Sequence, residues 1–145
     1  MKLKVKKLHP DAIIPKYATV GAAAFDLCAV NSGRVMPGLN AIAETGLAFE
    51  IPEGHVMLVF SRSGHGFNNN VRLSNCVGVI DSDYRGEVKA KLTCDGRCVG
   101  IEFNKGDRIA QAVIVPVPQV ELVEVENLSS TERGDRGFGS TGTAS

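Results

Sequence analysis

No segment of this chain keeps a helical period for more than about two turns. What recurs is a short apolar or alternating run, then a turn rich in Gly, Pro, Asn or Asp, then another run. Strands so short and closely spaced belong to sandwiches and jelly rolls. The pattern predicts an edge strand over residues 2–8, where Lys alternates with Leu and Val. It predicts further strands over 47–51, 55–60, 71–73, 77–80, 98–103 and 108–115, and a weak last one around Leu122, Val123 and Val125. Residues 67–70 read as a loop. The 145 residues suffice for one domain with a real core, and no internal repeat marks a second.

Residues 75–88, N-C-V-G-V-I-D-S-D-Y-R-G-E-V, stand out within this pattern. An apolar run, Val77-Gly78-Val79-Ile80, stops abruptly at Asp81-Ser82-Asp83. Tyr84, Arg85 and Gly86 follow, and Val88, Ala90 and Leu92 then alternate with charged residues. This reads as a buried strand, an acidic loop and a half-buried strand, joined as a hairpin with carboxylates and an aromatic ring at its mouth. Such a loop suits a solvated turn, and it equally suits general-base work.

Other segments carry candidate chemistry. Asp26 sits between the apolar Phe25 and Leu27 after a Gly-Ala run, where burial without a partner would be costly. It either caps a turn or points into a polar site. Residues 61–66, S-R-S-G-H-G, combine hydroxyls, an arginine fork and glycines that expose backbone amides, a good cradle for an anion or an ordinary polar loop. After Asn127 the composition turns to Ser, Thr and Gly, as in a disordered tail. Within that tail lie two arginines and one aromatic, R-G-D-R-G-F-G-S-T-G, as in a segment that closes over a phosphate ligand.

Composition excludes some classes. With 16 basic and 16 acidic residues and no Trp, neither a basic nucleic-acid surface nor a stacking platform is indicated. No apolar run is long enough to span a bilayer, and alternation from Met1 onward predicts no signal peptide. A cytoplasmic location is expected, the host cytoplasm for a viral chain. Cys28, Cys76, Cys94 and Cys98 lack zinc-site spacing, so reduced structural thiols are expected. A disulfide joining Cys94 to Cys98 is the alternative and requires facing Cβ atoms.

Taken together and in order, A-A-A-F-D-L, S-R-S-G, G-V-I-D-S-D-Y-R-G-E, K-G-D-R-I-A-Q and R-G-D-R-G-F-G-S-T-G resemble the motifs of the homotrimeric dUTP pyrophosphatase (dUTPase) family. The resemblance spans nearly the whole chain. It implies a jelly-roll-like β barrel over residues 1–128 and a mobile glycine-rich arm over 129–145 that closes the active site. It also implies a homotrimer whose sites are shared between subunits. The implied reaction is hydrolysis of dUTP to dUMP and pyrophosphate, with magnesium (Mg2+) on the triphosphate. That reaction limits uracil incorporation into DNA and supplies dUMP for thymidylate synthesis. By motif, Asp81 matches the aspartate that activates water at the α-phosphorus, and Tyr84 the ring that packs on the deoxyribose. Asn75 and the backbone at Gly78 match the uracil pocket. Arg62, Ser63, Gly64 and Gln111 match phosphate contacts, and Asp26 an aspartate near the metal and phosphates, with no direct metal ligand implied. Arg133 and Phe138 match the arm residues that reach the γ-phosphate and cover the base. Phe25, Ser61 and Arg136 stand where the family usually has tyrosine, proline and glycine.

Overall fold

A computed structural model describes residues 1–96 and 98–138. Its strands are β1 (Lys4–Lys7), β2 (Phe25–Cys28), β3 (Gly33–Val35), β4 (Ala41–Glu44), β5 (Leu47–Glu50) and β6 (His55–Phe60). One helix, α1 (Ser63–Asn69), precedes β7 (Val71–Leu73), β8 (Val77–Ile80), β9 (Lys89–Cys94), β10 (Ile101–Phe103) and β11 (Arg108–Pro116). The strands pair antiparallel in four sheets, ordered β1-β5, β10-β3, β2-β11-β6-β8 and β4-β9-β7. The ladders do not close into a continuous ring, and the arrangement is jelly-roll-like.

The side-chain alternation of each strand decides what it buries. Ala90 and Leu92 of β9 point inward while Lys89 and Lys91 point out. In β2, Phe25 and Leu27 are buried and leave Asp26 on the opposite face. The longest strand, β11, buries Ile109, Ala110 and Ala112 and pairs with β2 on one side and β6 on the other. Phe103, Leu27, Leu47 and Met57 meet in one core that all four sheets feed. Each such side chain contributes about 1.5–3 kcal/mol on burial. No helix among the described residues is long and apolar enough to cross a membrane.

Several expectations need correction. Strands β8 and β9 do not form a hairpin: β8 lies on β6, while β9 lies between β4 and β7. The chain crosses from one sheet to another at Ser74–Cys76 and crosses back through residues 81–88. The first crossing is tight, with Cys76 N donating to Leu73 O at 3.0 Å and Cys76 at φ +62°. Nor is β8 fully buried, since Val79 is 63% exposed. Part of the expected 67–70 loop is the end of α1, a helix without a buried residue that ends at Asn70 in the left-handed region. Asparagine tolerates that region better than most residues. The last expected strand does not form, and Leu122, Val123 and Val125 are exposed. Strands β2, β3 and β4 add to those expected, and the strand expected over 98–103 shortens to β10. The thiols are not all free: Cys94 and Cys98 form a disulfide with Cα atoms 5.9 Å apart, leaving Cys28 and Cys76 free.

Candidate active site

Asp26 meets the partners that its burial demands. Its Oδ1 accepts from Arg62 Nε at 3.0 Å and its Oδ2 from Arg108 Nη1 at 3.1 Å. Arg62 leaves the end of β6, and its Nη1 also donates to Arg108 O at 3.2 Å. The β2–β11 register sets Gln111 opposite Asp26, and Gln111 Nε2 donates to Ser61 O at 2.9 Å. Ser61 Oγ accepts from Leu73 N at 2.8 Å, tying this corner to β7. Asp26, Arg62 and Gln111 are thus brought together, with Ser63 and Gly64 exposed beside them at the start of α1. A Cβ built on Gly64 meets nothing within 4 Å, so the packing of this chain does not itself require the glycine.

Arg108 lies within K-G-D-R-I-A-Q, where the resemblance implies no role for it. The signal that could have found it was Asp26 itself, a half-buried acid in need of cations. Next to this cluster, burial pushes the Cys28 thiol above its ordinary pKa, and the negative charge of Asp26 adds to the effect.

Asp81 and Tyr84 line a second region, a cavity of about 420 Å³ shared with Val79, Ile80, Glu87 and Lys89. Tyr84 N donates to Asp81 O at 3.2 Å, and Arg85 Nη1 reaches back to Ser82 O at 2.7 Å, so the acidic loop folds on itself. The Tyr84 hydroxyl donates to Glu87 O at 3.1 Å, and the ring end lies where a side chain at Gly86 would start. The far leg of the loop is clamped to the β4–β5 corner. Thr45 Oγ1, fully buried, donates to Val88 O at 2.6 Å, and Gly46 N donates to Glu87 Oε1 at 2.8 Å. Lys89 pairs with Glu44 at 2.6 Å and Glu87 at 3.1 Å, and these bonds push the ammonium pKa up. A larger cavity of about 620 Å³ lies on the other flank of the loop, against Glu50, Glu53 and Arg85. It includes neither Asp81 nor Tyr84, and a third cavity of about 500 Å³ is lined by Asp81 with His55 and Asp83 but not by Tyr84; the smallest of the three is the one that Asp81 and Tyr84 both line.

Asn75 and Gly78 come together at the opposite end of β8. Gly78 pairs with Val59, and a Cβ there would lie 3.2 Å from Val59 Cβ and 3.9 Å from Asn75 Nδ2. The tight neighbour is Val59, so glycine at 78 leaves room for that side chain, while the Asn75 amide lies at ordinary contact distance.

The two charged regions stand apart. Ile80 is opposite Met57 while Val77 is opposite Phe60, so Asp81 and Arg62 leave opposite ends of the β6–β8 pair. At the strand rise their backbones are about 20 Å apart. Arg133 and Phe138 are exposed and reach neither region; Arg133 Nε instead donates to Arg136 O at 3.0 Å. The last part of the tail motif, residues 139–142, lies outside the described residues.

Among the described residues, no group of three or more His, Cys, Asp or Glu could hold a metal, and both oxygens of Asp26 are engaged by arginines.

Comparison with known proteins agrees with this architecture. The dUTPase family model matches residues 10–142. The deoxyuridine 5'-triphosphate nucleotidohydrolase of Nautilia profundicola is 50% identical over 142 residues, covering 98% of this chain and 99% of that protein. The dUTPase of Staphylococcus bacteriophage 80alpha, solved as a mutant with dUpNHpp, superposes with a TM-score of 0.89 at 30% identity, covering 98% of this chain and 99% of that one. The dUTPase of phage phi11 of S. aureus, solved as a mutant, coordinates a structural Mg(II) ion; it superposes with a TM-score of 0.78 at 26% identity, covering 88% of this chain and 98% of its own. This chain belongs to the dUTPase family.

Proposed function

We propose that this chain hydrolyses dUTP to dUMP and pyrophosphate, and that Asp81 positions and activates the attacking water. The observation that carries the reading is the cavity that Asp81 and Tyr84 both line. Asp81 accepts a proton from water as its oxygen attacks the α-phosphorus; the bond from that phosphorus to the bridging oxygen breaks, and pyrophosphate leaves. Tyr84, whose hydroxyl donates to Glu87 O, packs on the deoxyribose and excludes a 2′-hydroxyl. Asn75 and the Gly78 backbone read the uracil edge.

Arg62, Ser63, Gly64 and Gln111 hold the phosphates. Asp26 pre-aligns the arginines, which lowers the reorganisation needed when an anion arrives. Magnesium arriving on the triphosphate would offset charge on its oxygens, and the residues assigned here would act on the phosphates rather than on the metal.

A homotrimer with shared sites is part of the proposal. Supporting it is the separation of Asp81 from Arg62, which a second copy can shorten by placing its arginine cluster at the first copy's cavity. Exposed Val120, Leu122 and Leu128 offer apolar surface for such a contact. Residues 1–128 then form the catalytic body and 129–145 an arm that brings Arg133 and Phe138 to the bound nucleotide.

Incubation with dUTP and with dCTP tests the reading by assay of pyrophosphate and ammonia. Pyrophosphate from dUTP alone is expected. Ammonia from dCTP would make the chain a deaminase, and neither product would make it a binding protein. Sedimentation tests the trimer.

A further inference from the structure

Arg72 makes contacts that the proposed reaction does not use. Its Nε donates to Asp95 Oδ2 and its Nη2 to Asp95 Oδ1 at 3.0 Å, a two-pronged fork. Its remaining nitrogen, Nη1, donates to Leu73 O at 2.9 Å and Ser74 O at 3.2 Å, and lies 3.5 Å from Cys76 Sγ. Those acceptors belong to the crossing between β7 and β8, the turn that presents Asn75. An exposed ion pair contributes little to stability by itself. This one differs in that its third nitrogen is spent on two carbonyls of a turn with a non-glycine residue at positive φ, Cys76. Such a turn persists only when its surroundings hold it.

Asp95 is in turn held by a strap. It follows Cys94 directly, within the short loop that the Cys94–Cys98 disulfide closes. Asp95 N donates to Asn70 O at 2.9 Å, the left-handed cap of α1. On the other side Cys98 is buried, and its Sγ accepts from Gly100 N at 3.1 Å. Gly100 sits at φ +80° against the Val35 carbonyl, where no side chain fits. One end of the strap is thus anchored in the core, and its other end orients Asp95.

We propose that Cys94–Cys98, Asp95 and Arg72 form a redox-sensitive latch on the Asn75 turn, so that the state of the disulfide sets how firmly the base is recognised. The latch rests on the reading of Asn75 and Gly78 as the base pocket. Reduction is a two-electron exchange. A dithiol thiolate attacks one sulfur and the Cys94–Cys98 bond breaks. The dithiol then closes to its own disulfide, and Cys94 and Cys98 end as thiols. Reduction leaves the Asp95 N to Asn70 O bond and the pairing of Cys94 with Val71 in place but frees the side of the loop that runs to Cys98, so Asp95 is held less firmly, the fork on Arg72 weakens and the turn loosens. In a reducing compartment the pair would be open and the latch released. Arg72 acts through the turn and is a positioning residue.

The test compares oxidised and dithiothreitol-reduced protein, as wild type and as Arg72→Ala, with dUTP and dCTP as substrates. In the wild type, reduction is expected to raise KM for dUTP by about two- to thirtyfold, the range of coupling through such networks. Its kcat should hold, and the preference for dUTP over dCTP should fall. Arg72→Ala is expected to show the raised KM in both redox states. An unchanged KM in reduced wild type overturns the latch, and a full redox response in Arg72→Ala removes Arg72 from it. Hydrogen exchange at residues 74–77 without nucleotide gives a second readout, independent of turnover. Faster exchange on reduction is expected, and equal exchange overturns the latch even if the protein proves not to hydrolyse dUTP.

Discussion

Asp26 and Arg62 face each other at the end of the central sheet, carboxylate to guanidinium at 3.0 Å, with both side chains about three-quarters shielded from solvent. Arg108 takes the second carboxylate oxygen at 3.1 Å. One acid thus aligns two cations supplied by segments far apart in sequence. Two guanidiniums drawn together around one carboxylate carry net positive charge, which is what a triphosphate requires. Asp26→Ala should leave both cations without their anchor and lower stability by about 1–3 kcal/mol. Chemical denaturation reads this directly, and an unchanged midpoint would show that the trio contributes nothing to the fold.

Asp81→Asn keeps the shape of the side chain and loses its basic oxygen. Removal of a general base typically lowers turnover by about 10²- to 10⁴-fold. Single-turnover kinetics should show that loss, with nucleotide affinity nearly intact. Turnover within a few-fold of wild type would remove Asp81 from the mechanism.

Gly86 and Tyr84 form a steric pair. A methyl at Gly86 collides with the end of the Tyr84 ring, and that ring, 45% exposed, has room to swing away. Gly86→Ala should therefore disturb the fold little and displace the ring. The expected readout is a fall in kcat/KM for dUTP relative to UTP, as in Tyr84→Ala. The double variant should add little to either single change, because both act through one ring. An unaltered ratio in all three would place sugar discrimination elsewhere.

Much of this was legible in the sequence, and the misses have physical causes. The strands at 55–60 and 108–115 were readable because their apolar runs lie in the central sheet, where Met57, Val59, Ile109, Ala110 and Ala112 are buried. Asp26 announced its need for a partner by its apolar neighbours. The partition of β8 and β9 between two sheets was not readable, since alternation fixes which face is buried and says nothing about which strand lies alongside. The Ser74–Cys76 turn was hidden because Cys76 adopts positive φ without the glycine or asparagine that marks such turns. Helix α1 was missed because it buries no residue and so carries no apolar period. The strand expected near Val125 failed for the opposite reason: its alternation is present but no sheet edge of this chain receives it.

Burial, and next the charge of Asp26, raise the pKa of Cys28. The folded state therefore favours the neutral thiol. The stability this contributes is fully present below the pKa of the unfolded thiol, about 8.5, and is lost as pH rises from there through the folded value. Cys28 should alkylate more slowly than a free cysteine peptide at about pH 8.5. Its rate should climb only at higher pH, and Asp26→Ala should shift that climb downward. A Cys28 profile matching the free peptide would refute the shift.

Truncation after Leu128 should leave a folded body and a nearly inactive enzyme. The described residues beyond it are almost all exposed and bond chiefly to one another: Gly134 N to Thr131 Oγ1 at 3.1 Å, Arg133 Nε to Arg136 O and Arg136 Nε to Arg133 O at 3.0 Å each. None of these contacts reaches the core, so their removal exposes no buried surface. Arg133 and Arg136 supply charge suited to terminal phosphates, and Phe138 a ring suited to a base. Ordering these residues over a ligand costs conformational entropy, which contacts to a triphosphate can offset and those to a monophosphate offset less. A non-hydrolysable dUTP analogue should therefore protect the chain from cleavage after Arg133 and Arg136, and dUMP should protect it much less. The truncated protein should keep the unfolding midpoint of the full chain while losing most of its kcat/KM. Full activity after truncation, or equal protection with and without nucleotide, would make the segment an ordinary terminus rather than a closing arm.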